Sequence, residues 1–200
     1  METIKKIVAI GPESTGKSTL CEKLAAHYNT LWVPEYAREF LEKNGPEYNY
    51  EDLLTIAKGQ IELEEGIGYQ VSGIRYQVSG GDEPKTSNLT PNTLFIDTDM
   101  YVMKVWSEFV FNKCDHWILN RIAERKYDLY LLCDIDLPWV EDVLREYPDE
   151  KIRKKLFNFY KDIMANQSTP WVIISGNYDE RFEKAVEIIE DSFTKKNAQK

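Results

Sequence analysis

The residues best suited to chemistry stand near the amino terminus, in the segment GPESTGKS at Gly11–Ser18. This segment fills every fixed position of G-x-x-x-x-G-K-[ST], a pattern whose backbone N–H groups surround phosphate groups. Gly11 and Gly16 permit the turns and the close approach that such wrapping needs. Lys17 can reach the β- and γ-phosphates, and Ser18 offers a hydroxyl to Mg²⁺. The motif predicts binding of ATP with Mg²⁺, and the other loop residues expected at this site are Glu13, Ser14, Thr15 and Thr19.

Three carboxylates are placed where a phosphoryl-transfer enzyme needs them. Asp97 ends the apolar run TLFID, a position from which a carboxylate can hold Mg²⁺ at the edge of a parallel sheet. Glu35 follows a short apolar run and could orient or deprotonate an acceptor hydroxyl, although it could equally be a first-turn helix carboxylate. Asp99 would lie in the same crevice and contact the acceptor, unless it only caps the following helix. We expect Asp97 and Glu35 to be catalytic.

Two arginines could stabilise the charge of a transferring phosphoryl group. Arg145 and Arg153 flank the charged, proline-containing segment Glu146–Lys151, which is typical of a mobile lid. We predict a catalytic role for Arg145 and a nucleotide contact for Arg153. The alternative for each is an ordinary solvated helix residue.

Large aromatic side chains could stack on a base or on a pyridine ring. The candidates for the acceptor site are Tyr36, Trp106 and Trp139. Aromatic residues at helical spacing more often belong to the hydrophobic core, and that alternative stays open for all three.

Apolar runs that alternate with amphipathic stretches must position these residues. The runs predict buried strands at Ile4–Ile10, Thr30–Pro34, Thr93–Asp97, Lys126–Asp134 and Pro170–Ser175. Helical patterns lie between and after them, at Ser18–Tyr28, Glu35–Lys43, Tyr50–Glu65, Met100–Asn112, Asp115–Glu124, Pro138–Tyr147, Glu150–Asn166 and Glu180–Lys195. Such alternation favours a parallel sheet with right-handed crossovers. The sequence predicts a three-layer α/β sandwich of the P-loop NTPase class, with about five parallel strands and a helical lid.

The segment at residues 66–92 interrupts this alternation. It is rich in Gly, Ser, Asn and Pro, and YQVSG at Tyr69–Gly73 recurs at Tyr76–Gly80. A single short tandem copy does not make a solenoid, so we interpret it as a loop or hairpin insertion within one domain that spans residues 1–200. A loop of this length is usually a lid or disordered.

Composition limits the classes of partner. The formal net charge is −9 and the pI is near 4.9, which disfavours a nucleic-acid partner. No apolar run reaches the ~20 residues of a membrane span, and Met1 does not lead into a secretory signal. Cys21, Cys114 and Cys133 are widely spaced and form no metal-binding pair. We expect a cytoplasmic protein that binds a small nucleotide, and homo-oligomerisation stays open.

Five segments together resemble the ribosylnicotinamide kinase family, which includes the kinase domain of NadR-type NAD-biosynthesis proteins. They are Gly11–Ser18, Val33–Phe40, Phe95–Trp106, Tyr127–Arg145 and Ser175–Phe182. The resemblance implies ATP-dependent phosphorylation of nicotinamide riboside to nicotinamide mononucleotide. It also implies Lys17 and Ser18 at the phosphates and Mg²⁺, with Glu35 and Asp97 at the metal and the attacking hydroxyl.

The same resemblance implies roles outside the phosphate site. It assigns Asp99 to the ribose, Arg145 to the lid, and Asn177 and Tyr178 to the neighbourhood of the adenine. One departure is Asp142-Val143-Leu144-Arg145, where the family usually has Asp-Gly-x-Arg.

Two other functions remain compatible with the motifs. One is a kinase of another nucleoside or nucleotide, and the other is a regulatory ATP-binding module. A lid with arginines and several acceptor-side carboxylates favours the kinase, because a simple ATP-driven switch does not need them.

Overall fold

A central sheet is built from the apolar runs of the sequence. The computed structural model describes residues 4–78 and 92–197, in which the strands are β1 (Lys5–Ile10), β2 (Trp32–Val33), β3 (Thr93–Asp97), β4 (Leu129–Cys133) and β5 (Trp171–Ile174). All neighbouring pairs are parallel, in the order β2-β3-β1-β4-β5. Every residue of β3 and β4 is buried, as expected for strands covered on both faces. The predicted α/β class is therefore confirmed.

Helices connect the strands and cover both faces of the sheet. They are α1 (Lys17–His27), α2 (Tyr36–Asn44), α3 (Tyr50–Val78), α4 (Met100–Phe111), α5 (His116–Glu124), α6 (Glu150–Ala165) and α7 (Tyr178–Asn197). Three of them begin at an aspartate whose carboxylate accepts hydrogen bonds from first-turn N–H groups, namely Asp99, Asp115 and Asp149. These caps satisfy N–H groups that have no partner inside the helix.

The hydrophobic core has a layer on each side of the sheet. On one side, Leu24 of α1 and Ile189 of α7 belong to the same buried cluster as Ile7 of β1, and α7 packs beside α1 and β5. On the other, Val71 of α3, Val102 of α4 and Leu156 of α6 belong to the same buried cluster as Ile10 of β1. These two layers and the sheet form the predicted three-layer sandwich.

The carboxyl ends of the strands meet at one edge of the sheet. β1 lies between β3 and β4, so the chain leaves it at the point where the strand order reverses, a usual position for ligand sites in such sheets. The segment Gly11–Ser18 follows β1, Glu35 comes after β2, and Asp97 ends β3. The topology thus brings the predicted catalytic and binding residues to the same edge of the sheet.

The lid prediction requires correction, because no helix forms at Pro138–Tyr147. This stretch is irregular with one turn, and α6 begins only at Glu150 after its Asp149 cap. Backbone N–H groups of the stretch bind side chains of the phosphate loop instead of helical carbonyls, among them Val140 N to Ser14 Oγ at 2.9 Å. Tertiary hydrogen bonds therefore outweigh the helical pattern, and the segment predicted to be a lid is a loop.

The predicted insertion at 66–92 is also partly wrong. Residues 66–78 continue α3, and 79–91 lie outside the described residues. Val71 is buried and Ile67 is partly buried against the same core cluster, so tertiary packing compensates for the poor helix propensity of Gly66 and Gly68. The other predicted elements differ from the observed ones only at their ends.

Among the described residues, no helix is long and apolar enough to cross a membrane.

Candidate functional site

The phosphate loop connects β1 to α1, and its backbone requires glycine at two positions. Gly11 has φ 140° and Gly16 has φ 78°. A Cβ atom at Gly11 would lie 2.7 Å from the Cys133 carbonyl oxygen, and one at Gly16 would lie 2.9 Å from Leu137 Cδ1. The backbone carbonyl leaves no room for a side chain at Gly11, and the left-handed φ of Gly16 would strain any other residue, so the local geometry favours glycine at both positions of the motif.

Side chains of the loop fold back onto its own backbone. The Pro12 carbonyl accepts hydrogen bonds from Thr15 Oγ1 at 2.8 Å and from Lys17 Nζ at 3.0 Å. Ser14 has φ 56°, a left-handed conformation like that of Gly16. Left-handed residues within a turn help to form the concave N–H arrangements that bind anions. Lys17 therefore sits on the loop that would hold the phosphates.

Ser18 and Asp97 form the pair predicted to hold Mg²⁺. Ser18 Oγ donates to Asp97 Oδ2 at 2.5 Å. Burial raises the pKa of Asp97 from 3.8 to about 6, nearby Lys17 opposes the rise, and the charge of Glu35 adds to it. A hydroxyl beside a buried carboxylate at a phosphate loop suits Mg²⁺, which is usually held by one or two protein oxygens together with phosphates. The residues present fit the ion.

A buried glutamine connects Asp97 with the neighbourhood of Glu35. Gln60 of α3 accepts from Tyr36 N at 2.7 Å and donates to Pro34 O at 3.2 Å and to Asp97 O at 3.4 Å. It therefore ties the backbone on both sides of Glu35 to the end of β3. Gln60 was not predicted from the sequence, because nothing in its local pattern reveals contacts that arise only when α3 packs on the sheet.

Both carboxylate oxygens of Asp99 already accept hydrogen bonds from within the protein. Its Oδ1 accepts from Tyr101 N at 2.9 Å and from Val102 N at 3.3 Å, and its Oδ2 accepts from Tyr130 Oη at 2.7 Å. It is 2% exposed and does not line the cavity described next. The capping alternative is the one that the structure shows, and a ribose contact would require these bonds to be exchanged.

A cavity of about 520 Å³ opens between the phosphate loop, α2, α4 and the 138–147 segment. The predicted site residues that line it are Gly11, Glu13, Ser14, Thr15, Gly16, Lys17, Ser18, Thr19, Glu35, Trp106, Arg145 and Tyr178. Its size is within the usual range for small-molecule sites. The phosphate loop and the residues predicted to contact an acceptor therefore share one cavity.

One wall of the cavity carries a chain of hydrogen-bonded aromatic residues. Trp106 Nε1 donates to Tyr48 Oη at 2.8 Å, and Tyr48 Oη donates to Glu146 Oε2 at 2.8 Å. The Tyr48 and Trp106 rings meet edge to face, with centroids 4.9 Å apart. Tyr48 and Glu146 also line the cavity, although the sequence analysis selected only Trp106.

The other predicted site residues lie behind or beside the cavity. Asp97 is buried behind Ser18. Tyr36 places its ring directly against Gly59 of α3. Trp139 lies beneath the Arg153 guanidinium, with 5.5 Å between the guanidinium carbon and the ring centroid. Asn177 caps α7, where its Oδ1 accepts from Asp179 N and Glu180 N.

Side chains of the phosphate loop hold the 138–147 segment against the cavity. Glu13 Oε2 accepts from the backbone N–H groups of Glu146 at 3.0 Å and Tyr147 at 3.2 Å. Burial raises the pKa of Glu13, although these two bonds and Lys17 oppose the rise. Arg145 Nη1 lies 3.5 Å from Ser14 Oγ. The same Nη1 donates to Val140 O at 2.5 Å, so Arg145 lies beside the loop, and its predicted contact with a phosphoryl group stays a prediction.

A second attachment of the segment comes from α2. Arg38 Nη2 contacts Asp142 Oδ2 at 3.0 Å, and Leu144 N donates to Asp142 Oδ1. The Leu144 bond and the Arg38 bond hold the pKa of Asp142 below its usual value. Val143, which stands where the family has Gly, is 91% exposed and has no positive φ. The departure from the family pattern therefore causes no backbone strain.

Two buried arginines contact the phosphate loop from behind. Arg153 Nη2 donates to Ser14 O at 3.3 Å, and Arg181 Nη1 donates to Thr15 O at 2.9 Å. Burial lowers the pKa of Arg153. Arg181 was not among the predicted site residues, although it falls within the Ser175–Phe182 segment that carries part of the family resemblance.

The fold and this loop together define a P-loop NTPase-type nucleotide-binding domain. A family model described as "AAA domain" matches residues 6–181, and the chain belongs to that family.

Two bacterial proteins are similar to this chain over almost its whole length. The trifunctional NAD biosynthesis/regulator protein NadR of Escherichia coli (strain K12) and that of Salmonella typhimurium (strain LT2) are each 28% identical over 193 residues. The match covers 94% of this chain but 42% of each relative. The sequence resemblance to NadR-type proteins is confirmed, and the chain spans less than half the length of these relatives.

Solved structures show the same fold. NadR in complex with NR has a TM-score of 0.66 at 20% identity, over 94% of this chain and 51% of that one. NadR in complex with NAD and AMP-PNP has a TM-score of 0.65 at 22% identity, over 94% and 49%. Deoxyadenosine kinase from M. mycoides with bound dATP has a TM-score of 0.54 at 10% identity, over 93% and 99%.

Proposed function

We propose that this chain transfers the γ-phosphoryl group of ATP to the ribose 5′-hydroxyl of nicotinamide riboside and so forms nicotinamide mononucleotide and ADP. The observation that carries the proposal is one cavity lined both by the phosphate loop with Lys17 and by Glu35 and Trp106. A phosphate loop alone would fit any NTPase, whereas a carboxylate and an aromatic wall across the same cavity provide for an acceptor.

The residues at the loop would bind and orient ATP. The loop N–H groups and Lys17 would surround the β- and γ-phosphates, and the start of α1 would add the positive end of its dipole. Ser18 and Asp97 would hold Mg²⁺, which supplies charge neutralisation on the phosphates. Arg145, beside Ser14, would contact the transferring group from the 138–147 segment.

Glu35 would act on the acceptor. It lines the cavity, and Thr98 Oγ1 donates to its Oε1 at 3.4 Å. In the reaction the acceptor oxygen forms a bond to the γ-phosphorus, the bond from that phosphorus to the β–γ bridging oxygen breaks, and the hydroxyl proton passes to the Glu35 carboxylate. The hydrogen bonds of Gln60 to Pro34 O and Tyr36 N would keep this carboxylate in place.

The comparisons support the choice of acceptor. The named relatives are NAD biosynthesis proteins, and one structural neighbour was solved with NR and another with AMP-PNP. The cavity wall of Trp106, Tyr48 and Phe109 offers aromatic surface for a pyridine ring.

The test is ADP release with ATP, Mg²⁺ and a panel of acceptors: nicotinamide riboside, nicotinamide mononucleotide, adenosine and deoxyadenosine. We expect ADP only with a free 5′-hydroxyl and the highest kcat/KM with nicotinamide riboside. A preference for adenosine or deoxyadenosine would show that the protein is a kinase of a different nucleoside. ADP release at one rate with and without acceptors would favour a regulatory ATPase.

A further inference from the structure

Arg181 is the largest fully buried side chain among the described residues, and it lies beside the phosphate loop. It is 2% exposed and does not line the cavity. Its Nε donates to Gly176 O at 2.7 Å, Nη1 to Thr15 O at 2.9 Å, and Nη2 to Asp134 O at 3.1 Å. Nη2 also pairs with the Asp136 carboxylate.

These partners belong to three separate segments of the chain. Thr15 is in the phosphate loop, Asp134 and Asp136 follow β4, and Gly176 follows β5. A planar guanidinium with five fixed N–H donors can join three carbonyls at once, whereas an ammonium group is a single compact charge. Asp136 balances the buried positive charge, so the cluster is electrically satisfied.

The contact with Thr15 determines the direction of a peptide group. In a trans peptide the N–H points to the opposite side from the preceding carbonyl, and the described residues contain no cis peptide. Holding the Thr15 carbonyl toward Arg181 therefore directs the Gly16 N–H away from Arg181. Arg153 makes the equivalent contact with the Ser14 carbonyl, which directs the Thr15 N–H.

We propose that Arg181 is a positioning residue for nucleotide binding, which keeps the Thr15–Gly16 peptide turned so that its N–H faces the phosphates of ATP. It acts through the loop and does not touch the nucleotide. The inference rests on the proposed binding of ATP at the loop and is independent of the acceptor.

The test compares Arg181→Met with Arg125→Met. Arg125 is a matched control, since it is a largely buried arginine that pairs with Glu64 at 2.7 Å and with Glu65 at 3.0 Å. It precedes β4, at the opposite edge of the sheet from the phosphate loop. Both variants remove a buried guanidinium and should lower Tm, so stability alone does not distinguish them.

The distinguishing measurement is the dissociation constant of Mg²⁺·ATP, taken by calorimetry at a temperature where each variant is folded. We expect Arg181→Met to weaken binding roughly tenfold to a hundredfold, because a misdirected Gly16 N–H loses one hydrogen bond to a charged phosphate, and losses of that kind have effects of this size. Arg125→Met should bind as the wild type does. Equal Mg²⁺·ATP affinity in folded Arg181→Met and wild type would overturn the proposal.

Two further variants test the proposal if Arg181→Met does not fold. Arg181→Lys keeps the charge, but its single nitrogen cannot span the three carbonyls that Nε, Nη1 and Nη2 of Arg181 reach, so we expect it to fold and still bind Mg²⁺·ATP more weakly than the wild type. Added methylguanidinium should restore affinity in Arg181→Ala and not in Arg125→Ala. Wild-type affinity in Arg181→Lys would contradict the proposal. Absence of ATP binding by the wild type would instead refute the proposed function.

Discussion

Two buried aspartates, Asp97 and Asp99, show how one short stretch of sequence separates into two roles. Burial raises the pKa of each to about 6 from 3.8. Asp97 faces Ser18 of the phosphate loop, whereas Asp99 is held by two helix N–H groups and by the Tyr130 hydroxyl. Thr98 between them has φ 75°, so the two side chains diverge. The sequence could suggest both roles for Asp99 but could not choose between them.

Lys17 is expected to matter for catalysis and little for stability, since the hydrogen bond that it donates goes to the Pro12 carbonyl. Lys17→Ala should lower acceptor-dependent kcat/KM by roughly 10²-fold or more, the scale of losing one preorganised electrostatic partner. Its Tm should stay close to that of the wild type. Lys23→Ala on the same helix, which removes an exposed ion pair with Asp179, is the control and should retain activity. Near-normal turnover by Lys17→Ala would contradict the proposed role of the phosphate loop in the reaction.

Asp99 gives a pH dependence of stability whose sign follows from its raised pKa. A carboxyl group with a folded-state pKa near 6 and an unfolded value near 3.8 contributes stability that is fully present below pH 3.8 and lost as pH rises through 6. Asp99→Asn does not titrate. The Tm of the variant minus that of the wild type, without metal or nucleotide, should therefore become more positive from about pH 5 to about pH 7.5. A difference that stays constant or falls with pH would contradict this assignment.

At the scale of elements, hydrogen bonds to distant parts of the chain determine the conformation of the 138–147 segment. Asp142 pairs with Arg38 of α2, Glu146 accepts from Tyr48, and two N–H groups bind Glu13. Each partner is distant in sequence, so a local helical pattern could not reveal that these N–H groups are already bonded. The segment is therefore a loop that the phosphate loop itself holds over the cavity.

Glu13→Ala should detach the carboxyl-terminal end of this segment from the phosphate loop, because the backbone N–H groups of Glu146 and Tyr147 lose their acceptor. We expect faster amide hydrogen exchange at these two positions, measured by NMR or by mass spectrometry of short peptides. Glu22→Ala, at an exposed position of α1, should leave the exchange unchanged. If exchange at Glu146 and Tyr147 were as slow as in the wild type, Glu13 would not be what holds the segment.

At the scale of the whole molecule, the architecture was largely predictable. The run TLFID predicted β3 with its observed ends, because a strand covered on both faces is apolar in its interior, here Leu94, Phe95 and Ile96. The extension of α3 past Gly66 was missed, because it depends on Val71 packing against the sheet. Gln60 and Arg181 were missed for the same reason, since both are defined by contacts between distant segments.

We propose that one cavity binds both ATP and a nucleoside and that a phosphoryl group passes from one to the other within it. The most direct measurement uses ATP labelled with ¹⁸O in its γ-phosphoryl group, with nicotinamide riboside and Mg²⁺, and follows the products by mass spectrometry. We expect labelled nicotinamide mononucleotide in an amount equal to that of ADP, and loss of both products with Lys17→Ala. Labelled inorganic phosphate with ADP, and no labelled mononucleotide, would contradict it.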